Sequence, residues 1–495
     1  MTGTPPQEAI SHPFDDDKLR EECGVFGVFG HDDAAAFTAL GLHALQHRGQ
    51  EGAGIVAYDA STGIFTSERH RGLVGDSFSG DGRAMRELQG RAAIGHVRYS
   101  TAGGSSKRNV QPFFADLAGG GIAIAHNGNL TNAKTLRKQL TAQGAIFHST
   151  SDTECIVHLV AHSAKQNIVA RLIDALHQVE GAYSLVAVTQ KKLIGVRDPL
   201  GVRPLVLGKL DSTYVLTSET VALDIIGAQF VRDIEAGEMV VITESGIESI
   251  KPFAPLPKRF CIFEYVYFAR PDSSIEGRGV YQVRKRIGAE LAREASVAAD
   301  IVVPVPDSGV PAALGYAEES GLPFDYGIIR NHYVGRTFIE PSDHIRHLGV
   351  KLKHNANRDV LAGKRVILVD DSIVRGTTSV KIVQMLREAG AREVHMRIAS
   401  PPTISSCFYG VDTPDKKHLL AAQQNLEQMR AFIKVDSLAF ISMDGLYRAV
   451  GEANGRRNDA PQFCDACFSG EYPTALTDMD GGSTFGQLSL LSETV

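Results

Sequence analysis

The chain has 495 residues, of which 43% are hydrophobic and 22% are charged, and its formal net charge is −6. At roughly 150 residues per domain this length predicts about three domains, or two if the α/β units are large. A composition with 49 Gly and only 20 Pro excludes a disordered or fibrous chain.

Charge, hydropathy and cysteine content also exclude several classes of partner. The sequence has no basic block of the kind that neutralises a phosphate backbone, so we expect no nucleic acid partner. It has no apolar run long enough to cross a membrane and no secretory signal, so we expect a cytoplasmic protein that binds no membrane. Six cysteines are too few for a disulfide framework, and each is therefore read as a nucleophile, a metal ligand or part of a core.

The first half of the chain alternates short strands with Gly-rich turns. Residues 1–22 are polar, acidic and aperiodic, and we interpret them as a flexible leader. From Cys23 to about residue 250 the apolar runs are CGVFGVFG, GAGIVAYD, AAIGHVRYS, GIAIAHNG, YSLVAVT, LIGVRD and EMVVIT. Amphipathic stretches near 33–46 and 152–178 interrupt these strands. The pattern predicts a layered α+β domain.

From about residue 282 strands and helices alternate regularly. The order is helix-like VRKRIGAELAREAS, strand IVVPVP, helix-like PAALGYAEESG, strand RVILVD, helix-like TSVKIVQMLREAG and strand EVHMRIAS. This alternation predicts an α/β domain with a parallel sheet. The proline-rich segment KPFAPLPKRF predicts a linker between the halves, and the Gly-, Ser- and Thr-rich residues after Tyr472 predict a flexible tail.

Cys23 opens an apolar strand directly after the leader. Taken alone, a cysteine in this place is more often buried packing than a nucleophile. Downstream, however, the chain contains LQHRGQEGAGI, GHVRYSTAG, AHNGNL and SSDTE in this order. Together these motifs resemble the class II glutamine amidotransferase domain of the N-terminal-nucleophile hydrolases. The resemblance implies a layered αββα fold with glutamine as the substrate.

The resemblance also implies a nucleophile that supplies its own base. If the leader is removed between Glu22 and Cys23, the free α-amino group of Cys23, whose ordinary pKa is near 8, can accept the thiol proton. Asn127 and Gly128, which we expect in a turn, would then form the oxyanion hole.

Three further residues are implied in binding glutamine. Arg98 would hold the α-carboxylate through a bidentate pair, Asp152 would accept from the α-ammonium group, and Arg48 lies in the HRGQ motif of the same site.

Each motif has a structural alternative. Asn-Gly is also a hairpin signal, and Arg98 alone could be a surface charge. SDTE fits a capping box, so Asp152 could simply begin a helix, and Cys155 one residue beyond it is interpreted as packing. The ordered combination over about 130 residues is far more specific than any single motif, and it favours the glutaminase.

The string RVILVDDSIVRGTTS places two carboxylates and a small-residue loop between a buried strand and a helix. Adjacent acids after a strand also occur as helix caps or as Mg²⁺ sites in other folds. The full string, however, closely resembles the signature of type I phosphoribosyltransferases, which use phosphoribosyl pyrophosphate (PRPP). Loop amides and a helix start suit a 5′-phosphate, and the two carboxylates suit ribose hydroxyls and magnesium.

A second loop, VPVPDSGVP, has the same strand-then-turn pattern, and the polar segment 331–355 predicts a lid over PRPP. The residues implied in PRPP binding are Asp307, Ser308, Arg336, Lys351, Lys353, Asp370, Asp371, Ser372, Arg375, Gly376, Thr377 and Thr378. Among them Ser308, Asp370 and Asp371 would hold one Mg²⁺ per subunit.

Four cysteines remain. Cys464 and Cys467 form a CxxC motif, and Cys261 and Cys407 have aromatic neighbours. The spacing alone fits zinc, a redox pair or an iron–sulfur cluster about equally. The contexts FCxxEY, CFYG and CxxC, together with the leader, resemble one branch of the glutamine PRPP amidotransferase family. This implies one structural 4Fe–4S cluster per subunit that joins the transferase domain to its C-terminal segment.

The sequence therefore predicts a leader at 1–22, a glutamine amidotransferase domain at 23–255, a phosphoribosyltransferase domain at 256–472 and a flexible tail at 473–495. The family resemblance implies that glutamine, PRPP and water give phosphoribosylamine, pyrophosphate and glutamate, the first committed step of purine synthesis. It further implies inhibition by purine nucleotides such as AMP and GMP, and a homotetramer. A nucleobase-salvage enzyme and a non-catalytic PRPP sensor are the alternatives.

Overall fold

The structure is a computed structural model, and it describes residues 20–21, 23–78, 82–99, 106–331 and 354–478. These residues form two compact units. We call first unit the described part of Leu19–Tyr281, Ser406–Thr413 and Arg457–Val495, and second unit the described part of Gln282–Ser405 and Pro414–Arg456. Within the described residues no helix is long and apolar enough to cross a membrane.

Two antiparallel sheets form the centre of the first unit. In spatial order the strands of the seven-stranded sheet are Gln229–Asp233, Val206–Leu210, Thr213–Thr217, Gly24–Phe29, Ala92–Arg98, Gly52–Asp59 and Ile64–Arg71. Those of the six-stranded sheet are Gly246–Ile250, Met239–Thr243, Leu193–Arg197, Gly181–Thr189, Gly120–Leu130 and Phe113–Leu117.

The two sheets pack face to face because both inner faces are apolar. On the strand Gly24–Phe29, Val25 and Phe29 point to the six-stranded sheet, while Phe26 and Val28 point to the helices on the outer face. At Gly27 a Cβ atom would lie 2.7 Å from Val186 Cγ1, so glycine permits the close approach of the sheets. The strand is therefore buried on both faces, as its continuous apolar run indicates.

Helices cover both outer faces and give the αββα layers that the sequence predicts. The helices of the first unit are Ala34–Ala44, Val74–Phe78, Arg83–Glu87, Ala133–Ala142, Thr153–His162, Ile168–Leu176, Val221–Ile226 and Ala466–Ser469, with a 3₁₀ turn at Lys107–Asn109 and a π-helical turn at Glu264–Phe268. Three short strand pairs complete the unit, namely Arg20–Glu21 with Val411–Asp412, Phe260–Cys261 with Phe463–Cys464, and Ser274–Ile275 with Arg278–Gly279.

The second unit contains a four-stranded parallel sheet. Its strands in spatial order are Ile301–Pro304, Arg365–Asp370, Glu393–Ile398 and Ser437–Phe440. Its helices are Val280–Glu294, which starts at the unit boundary, Val310–Ser320, Arg358–Leu361, Thr377–Glu388, Leu420–Gln423, Leu426–Ile433 and Met443–Val450. A 3₁₀ turn at Lys416–His418 and an antiparallel pair of Ile328–Arg330 with His354–Ala356 complete it. The predicted βαβ alternation and parallel sheet are confirmed.

The compact units do not follow the domain limits expected from the sequence, and those limits stay a prediction. Residues 256–281 and the described residues from 457 onward belong to the first unit. The reason is a long-range pairing, in which Phe260–Cys261 lies parallel to Phe463–Cys464 and the Cys261 N–H donates to the Val202 carbonyl at 3.1 Å. The proline-rich segment therefore lies inside the first unit instead of linking the units.

Part of the expected flexible tail is held in place. The Asp478 carboxylate accepts from the backbone N–H groups of Lys134 at 2.6 Å and Thr135 at 3.1 Å, and so caps the helix Ala133–Ala142. The expectation of a flexible tail is thus corrected for residues 473–478, because this helix start needs acceptors for its N–H groups. Residues 479–495 lie outside the described residues, as does the leader apart from residues 20–21.

Candidate functional site

Cys23 lies at the start of a central strand of the seven-stranded sheet. It is buried, and it precedes Gly24–Phe29. Its backbone N–H donates to the Arg48 carbonyl at 3.1 Å, and Arg48 Nε donates to the Cys23 carbonyl at 3.4 Å. Its φ is +80°, a left-handed conformation that costs a residue with a side chain roughly 1–2 kcal/mol.

Asn127 and Gly128 lie within the strand Gly120–Leu130, so the expectation that they form a turn is wrong. Gly128 has φ +143°, and a Cβ atom there would lie 2.1 Å from the Ala182 carbonyl oxygen. Since glycine tolerates this conformation inside a strand, the strand continues through the Asn-Gly pair without reversing.

Ser218 joins Asn127 to the strand that follows Cys23. The Ser218 hydroxyl accepts from the Val25 N–H at 3.0 Å and from Asn127 Nδ2 at 3.5 Å. Asn127 is completely buried, and Oδ1 of its amide has no hydrogen-bond partner within the described part of the chain. The sequence offered no signal for Ser218, which follows an unremarkable strand end.

Asp152 and Arg98 are both buried at the ends of secondary-structure elements. Asp152 precedes the helix Thr153–His162, and its carboxylate accepts from the backbone N–H groups of Thr153 at 2.8 Å and Leu130 at 2.9 Å. Asp152 therefore does cap this helix, as the structural alternative for SDTE expected. Arg98 is the last residue of the strand Ala92–Arg98. The residue before it, Val97, pairs with Gly24.

Two buried histidines connect these elements, although sequence reasoning gave them no role. His96 Nε2 donates to the His126 carbonyl at 3.0 Å and so joins the two sheets. His126 Nδ1 lies 3.0 Å from the Thr153 hydroxyl and 3.9 Å from the Asp152 carboxylate. Burial, and then the charge of Arg98, lower the pKa of His96 to about 3, and burial also lowers the pKa of His126. Both rings are therefore uncharged at neutral pH.

Arg48 is completely buried, but its guanidinium is engaged by protein carboxylates. It contacts Glu219 and donates from Nη2 to Glu264 Oε1 at 2.8 Å. Burial alone would raise the pKa of Glu219, but the charges of His47 and Arg48 hold this pKa well below its usual range. Of the groups of Arg48, it is the backbone carbonyl and Nε that meet Cys23. The expected role of its side chain in binding glutamine stays a prediction.

In the second unit Asp370 and Asp371 lie at the carboxyl end of a parallel strand. Both are buried, Asp370 Oδ1 accepts from the Asp371 N–H at 2.9 Å, and Asp371 Oδ1 accepts from the Ser372 hydroxyl at 2.6 Å. Gly376, with φ +80°, precedes the helix Thr377–Glu388. In α/β sheets this edge is where ligands bind.

The remaining loop residues surround this helix start. The side chains of Arg375 and Thr377 are exposed and that of Thr378 is half-buried, so all three can meet a bound anion. Arg336, Lys351 and Lys353, and with them nearly all of the expected lid, lie outside the described residues.

The loop with Asp307 and Ser308 packs against the same edge. It follows the neighbouring strand Ile301–Pro304, and a Cβ atom at Gly309 would lie 2.6 Å from the Val369 carbonyl oxygen. The Asp307 carboxylate contacts the Arg330 guanidinium. Two predicted PRPP loops are thus brought together by adjacent parallel strands.

The four remaining cysteines lie in the first unit. Cys261 pairs directly with Cys464, and Cys467 follows in the helix Ala466–Ser469. Burial raises the pKa of Cys261 to about 12, and that of Cys467 lies well above its usual range because of burial and then of Cys261, Cys407 and Cys464. The four thiols therefore lie within electrostatic range of one another. They connect segments of the first unit, and their expected link between the transferase domain and its C-terminal segment stays a prediction.

No group of three or more His, Cys, Asp or Glu among the described residues is arranged to hold a metal ion. The four thiols thus do not converge on a single-ion position. At the PRPP loops the donor set is the pair Asp370 and Asp371. One or two carboxylates are what Mg²⁺ uses when substrate phosphates and water complete its shell, so this pair fits magnesium.

The fold and these sites define a glutamine amidotransferase joined to a phosphoribosyltransferase, and comparisons with known proteins agree. A family model for the glutamine amidotransferase domain matches residues 96–224, and one for the phosphoribosyl transferase domain matches residues 276–399.

Curated relatives match both halves of the chain. An amidophosphoribosyltransferase of Rhizobium etli is 60% identical, covering 97% of each chain, and that of Bacillus subtilis is 47% identical, covering 92% of this chain and 95% of the relative. A solved B. subtilis glutamine PRPP amidotransferase complexed with ADP and GMP has a TM-score of 0.86 and 45% identity, over 92% of this chain and 98% of that chain. The chain belongs to the amidophosphoribosyltransferase family, pentosyltransferases of purine biosynthesis that carry a glutamine amidotransferase domain. A salvage enzyme and a PRPP sensor are thereby disfavoured.

Proposed function

We propose that this amidophosphoribosyltransferase hydrolyses glutamine at Cys23 and uses the released ammonia to displace pyrophosphate from PRPP at the Asp370–Asp371 loop. The observation that carries the proposal is the arrangement around Cys23. The start of its strand is joined to Asn127 through the Ser218 hydroxyl and to Arg48 through two backbone carbonyls.

Removal of the leader at Cys23 is supported by the backbone at this residue. A φ of +80° strains Cys23 while it is joined to a preceding residue. When the chain begins at Cys23 this torsion no longer exists, so cleavage relieves the strain. The nitrogen that donates to the Arg48 carbonyl at 3.1 Å becomes an α-amino group, held beside its own thiol.

In the glutaminase step this amino group is the base. It takes the thiol proton as Cys23 Sγ bonds to the carboxamide carbon, and it returns the proton to the leaving nitrogen as ammonia departs. Asn127 Nδ2 and the Gly128 N–H stabilise the oxyanion. Water then cleaves the thioester and releases glutamate. Burial lowers the pKa of His96 and of His126, so both imidazoles accept a proton poorly and the α-amino group is the stronger base.

Arg98 and Asp152 hold the glutamine backbone in this proposal. Asp152 already accepts two backbone N–H groups, and this fixes the position of its carboxylate. A fixed carboxylate suits the α-ammonium group of the substrate, while the guanidinium of Arg98 suits its α-carboxylate.

In the transferase step ammonia bonds to the anomeric carbon as the bond to pyrophosphate breaks. Asp370 and Asp371 bind the ribose hydroxyls, and the loop from Ser372 to Thr378 binds the 5′-phosphate at the helix start. Asp307 and Ser308 lie where the pyrophosphate leaves. Mg²⁺, held by Asp370, Asp371 and Ser308, would neutralise charge on the pyrophosphate.

Cys261, Cys407, Cys464 and Cys467 would hold a 4Fe–4S cluster, which supplies a structural link and no redox step. Cys261 and Cys464 are buried, and burial together with the proximity of other cysteines raises the pKa of each; this supports the assignment, since cluster iron stabilises thiolates. Anaerobically purified protein should contain about four irons per chain. An active preparation that holds zinc and no iron would overturn the assignment.

Purine nucleotides are proposed as inhibitors, and a homotetramer as the assembly. The related B. subtilis structure contains ADP and GMP, which supports nucleotide binding in this family. AMP and GMP should therefore slow turnover at a fixed PRPP concentration.

The variant Cys23→Ala tests the two-site proposal. It should abolish glutamine-dependent pyrophosphate release while ammonium-dependent release stays within about twofold of wild type, because the PRPP loop is untouched. Cys155→Ala is the matched control, since this buried thiol packs in the helix Thr153–His162 and should be silent with both nitrogen sources. Loss of both activities in Cys23→Ala would contradict separate sites. An intact mass that includes Met1 in fully active protein would exclude an N-terminal nucleophile.

A further inference from the structure

We propose that Glu264 is a positioning residue for the Cys23 nucleophile, an inference that rests on the proposed role of Cys23. Glu264 begins the π-helical turn Glu264–Phe268 and is completely buried. It reaches Cys23 through Arg48.

The Glu264 carboxylate holds two guanidinium groups. Its Oε1 accepts from Arg48 Nη2 at 2.8 Å and from Arg203 Nη2 at 3.1 Å, and its Oε2 lies 3.3 Å from Arg48 Nη1. All three side chains are completely buried. Such charge-assisted contacts are short and directional, and they fix the plane of the Arg48 guanidinium.

A second carboxylate belongs to this cluster. Glu219, which is also completely buried, contacts the Arg48 guanidinium and accepts from His47 Nε2 at 2.7 Å. Two carboxylates thus face the guanidiniums of Arg48 and Arg203. Removal of the charge on Glu264 would leave two buried guanidiniums with less compensating negative charge, which favours a shift in their positions.

Arg48 transmits this position to the nucleophile. Its carbonyl accepts from the Cys23 nitrogen at 3.1 Å, and its Nε donates to the Cys23 carbonyl at 3.4 Å. Arg48 is therefore fixed at both ends, by Glu264 and Glu219 at the guanidinium and by Cys23 at the backbone. A shift of the guanidinium moves Nε, the donor that holds the Cys23 carbonyl, and so changes the orientation of the Cys23 backbone.

The position of Glu264 in the chain adds a second consequence. It lies three residues after Cys261, on the segment held by the pairing of Phe260–Cys261 with Phe463–Cys464. The cysteine set and the nucleophile are thus connected by one turn and one buried ionic cluster within the first unit.

The test is the variant Glu264→Gln, which keeps the shape of the side chain and removes its charge. We expect kcat with glutamine to fall by about tenfold to a hundredfold, as slight misplacement of reacting groups does. KM for glutamine should change little, because the groups that bind its backbone are untouched, and ammonium-dependent turnover should stay within about twofold of wild type. The rate of Cys23 alkylation by iodoacetamide should fall together with kcat. Intact mass is measured for each variant, and rates are expressed per chain that begins at Cys23.

The control is Glu238→Gln. Glu238 is a buried carboxylate of the same unit that pairs with Arg232 at 2.7 Å. It should change thermal stability without changing the ratio of glutamine- to ammonium-dependent turnover. Equal ratios in the two variants would overturn the proposal, as would a Glu264→Gln protein with wild-type alkylation.

If Glu264→Gln does not fold, the double variant Glu264→Gln with Arg203→Gln restores the charge balance. We expect it to fold and to use ammonium normally, yet to remain slow with glutamine, because Arg48 still lacks its second carboxylate. Recovery of the wild-type rate with glutamine would show that only the net charge matters and would refute a positioning role.

Discussion

In the proposed mechanism the backbone and the side chain of Cys23 take part in the same reaction. The residue is strained while it follows Glu22, and its nitrogen is already bonded to the Arg48 carbonyl that would orient a free amino group. Nearby, His96 joins the two sheets, and because burial lowers its pKa it is a weak base that does not compete with the amino group. Sequence motifs therefore identify several residues of this site. Their contacts with one another are known only from the folded structure.

His96 gives a prediction for the dependence of stability on pH. Its pKa in the fold is lowered to about 3 by burial and by Arg98, whereas in the unfolded chain it is near 6.5. Below pH 6.5 the unfolded chain therefore binds the proton that the fold excludes, and stability is lost as the pH falls. At pH 5 this costs about 2 kcal/mol.

Denaturant unfolding at pH 7 and pH 5 checks this. His96→Gln should lose less stability between the two values than wild type does, whatever its stability at pH 7. The exposed His43 offers a control, and His43→Gln should keep the wild-type difference. An unchanged pH response in His96→Gln would show that the buried imidazole is protonated in the fold.

Asp371→Asn tests the PRPP loop. Asp371 is buried and holds the Ser372 hydroxyl at 2.6 Å, so the substitution removes a charge and disturbs the loop. KM for PRPP should rise by about tenfold to a hundredfold with either nitrogen source, the range for a lost hydrogen bond to a charged group. The exposed Asp359 is the matched control, and Asp359→Asn should have normal PRPP kinetics. An unaffected Asp371→Asn enzyme would refute the loop assignment.

Among the elements, the segment Ser406–Thr413 links the cysteine set to the predicted oxyanion hole. It contains Cys407, and the Phe408 carbonyl accepts from Asn129 Nδ2 at 3.0 Å. A Cβ atom at Gly410 would lie 3.0 Å from Gly128 Cα. Gly128 is thus backed by the segment that supplies a cysteine.

Gly410→Ala should therefore impair the glutaminase selectively. Its added methyl group presses on Gly128, and we expect glutamine-dependent turnover to fall by about tenfold, with ammonium-dependent turnover nearly unchanged. Gly227→Ala is matched, because Gly227 also has positive φ, at +71°, but open space around its Cβ position. It should lose stability only. Equal turnover ratios in the two variants would show that the contact with Gly128 has no effect on the oxyanion hole.

Elements whose pattern is local could be predicted from the sequence. The strand, the acidic loop and the helix around Asp370 are consecutive in the sequence, and the structure contains all three in that order. The turn expected at Asn127 was wrong because a glycine with positive φ can also lie inside a paired strand, as Gly128 does here. The place of Cys261 in the first unit depends on a pairing with residues about 200 positions away, and no local pattern encodes it.

On the scale of the whole molecule, two compact units carry two half-reactions that are useful only together. Without PRPP a glutaminase wastes glutamine, and without ammonia the PRPP loop has no nucleophile in this family's reaction. Similarity over nearly the full length to amidophosphoribosyltransferases covers both units. The two activities should consequently rise and fall together when glutamine is the nitrogen source.

The most direct test measures pyrophosphate and glutamate released by anaerobically purified protein supplied with PRPP and Mg²⁺. Parallel reactions contain glutamine, ammonium or no nitrogen source. We expect pyrophosphate with glutamine or ammonium but not without them, and glutamate formed in equal amount to pyrophosphate when glutamine is used. Release of pyrophosphate only after a free nucleobase is added, or binding of PRPP without any release, would contradict the account.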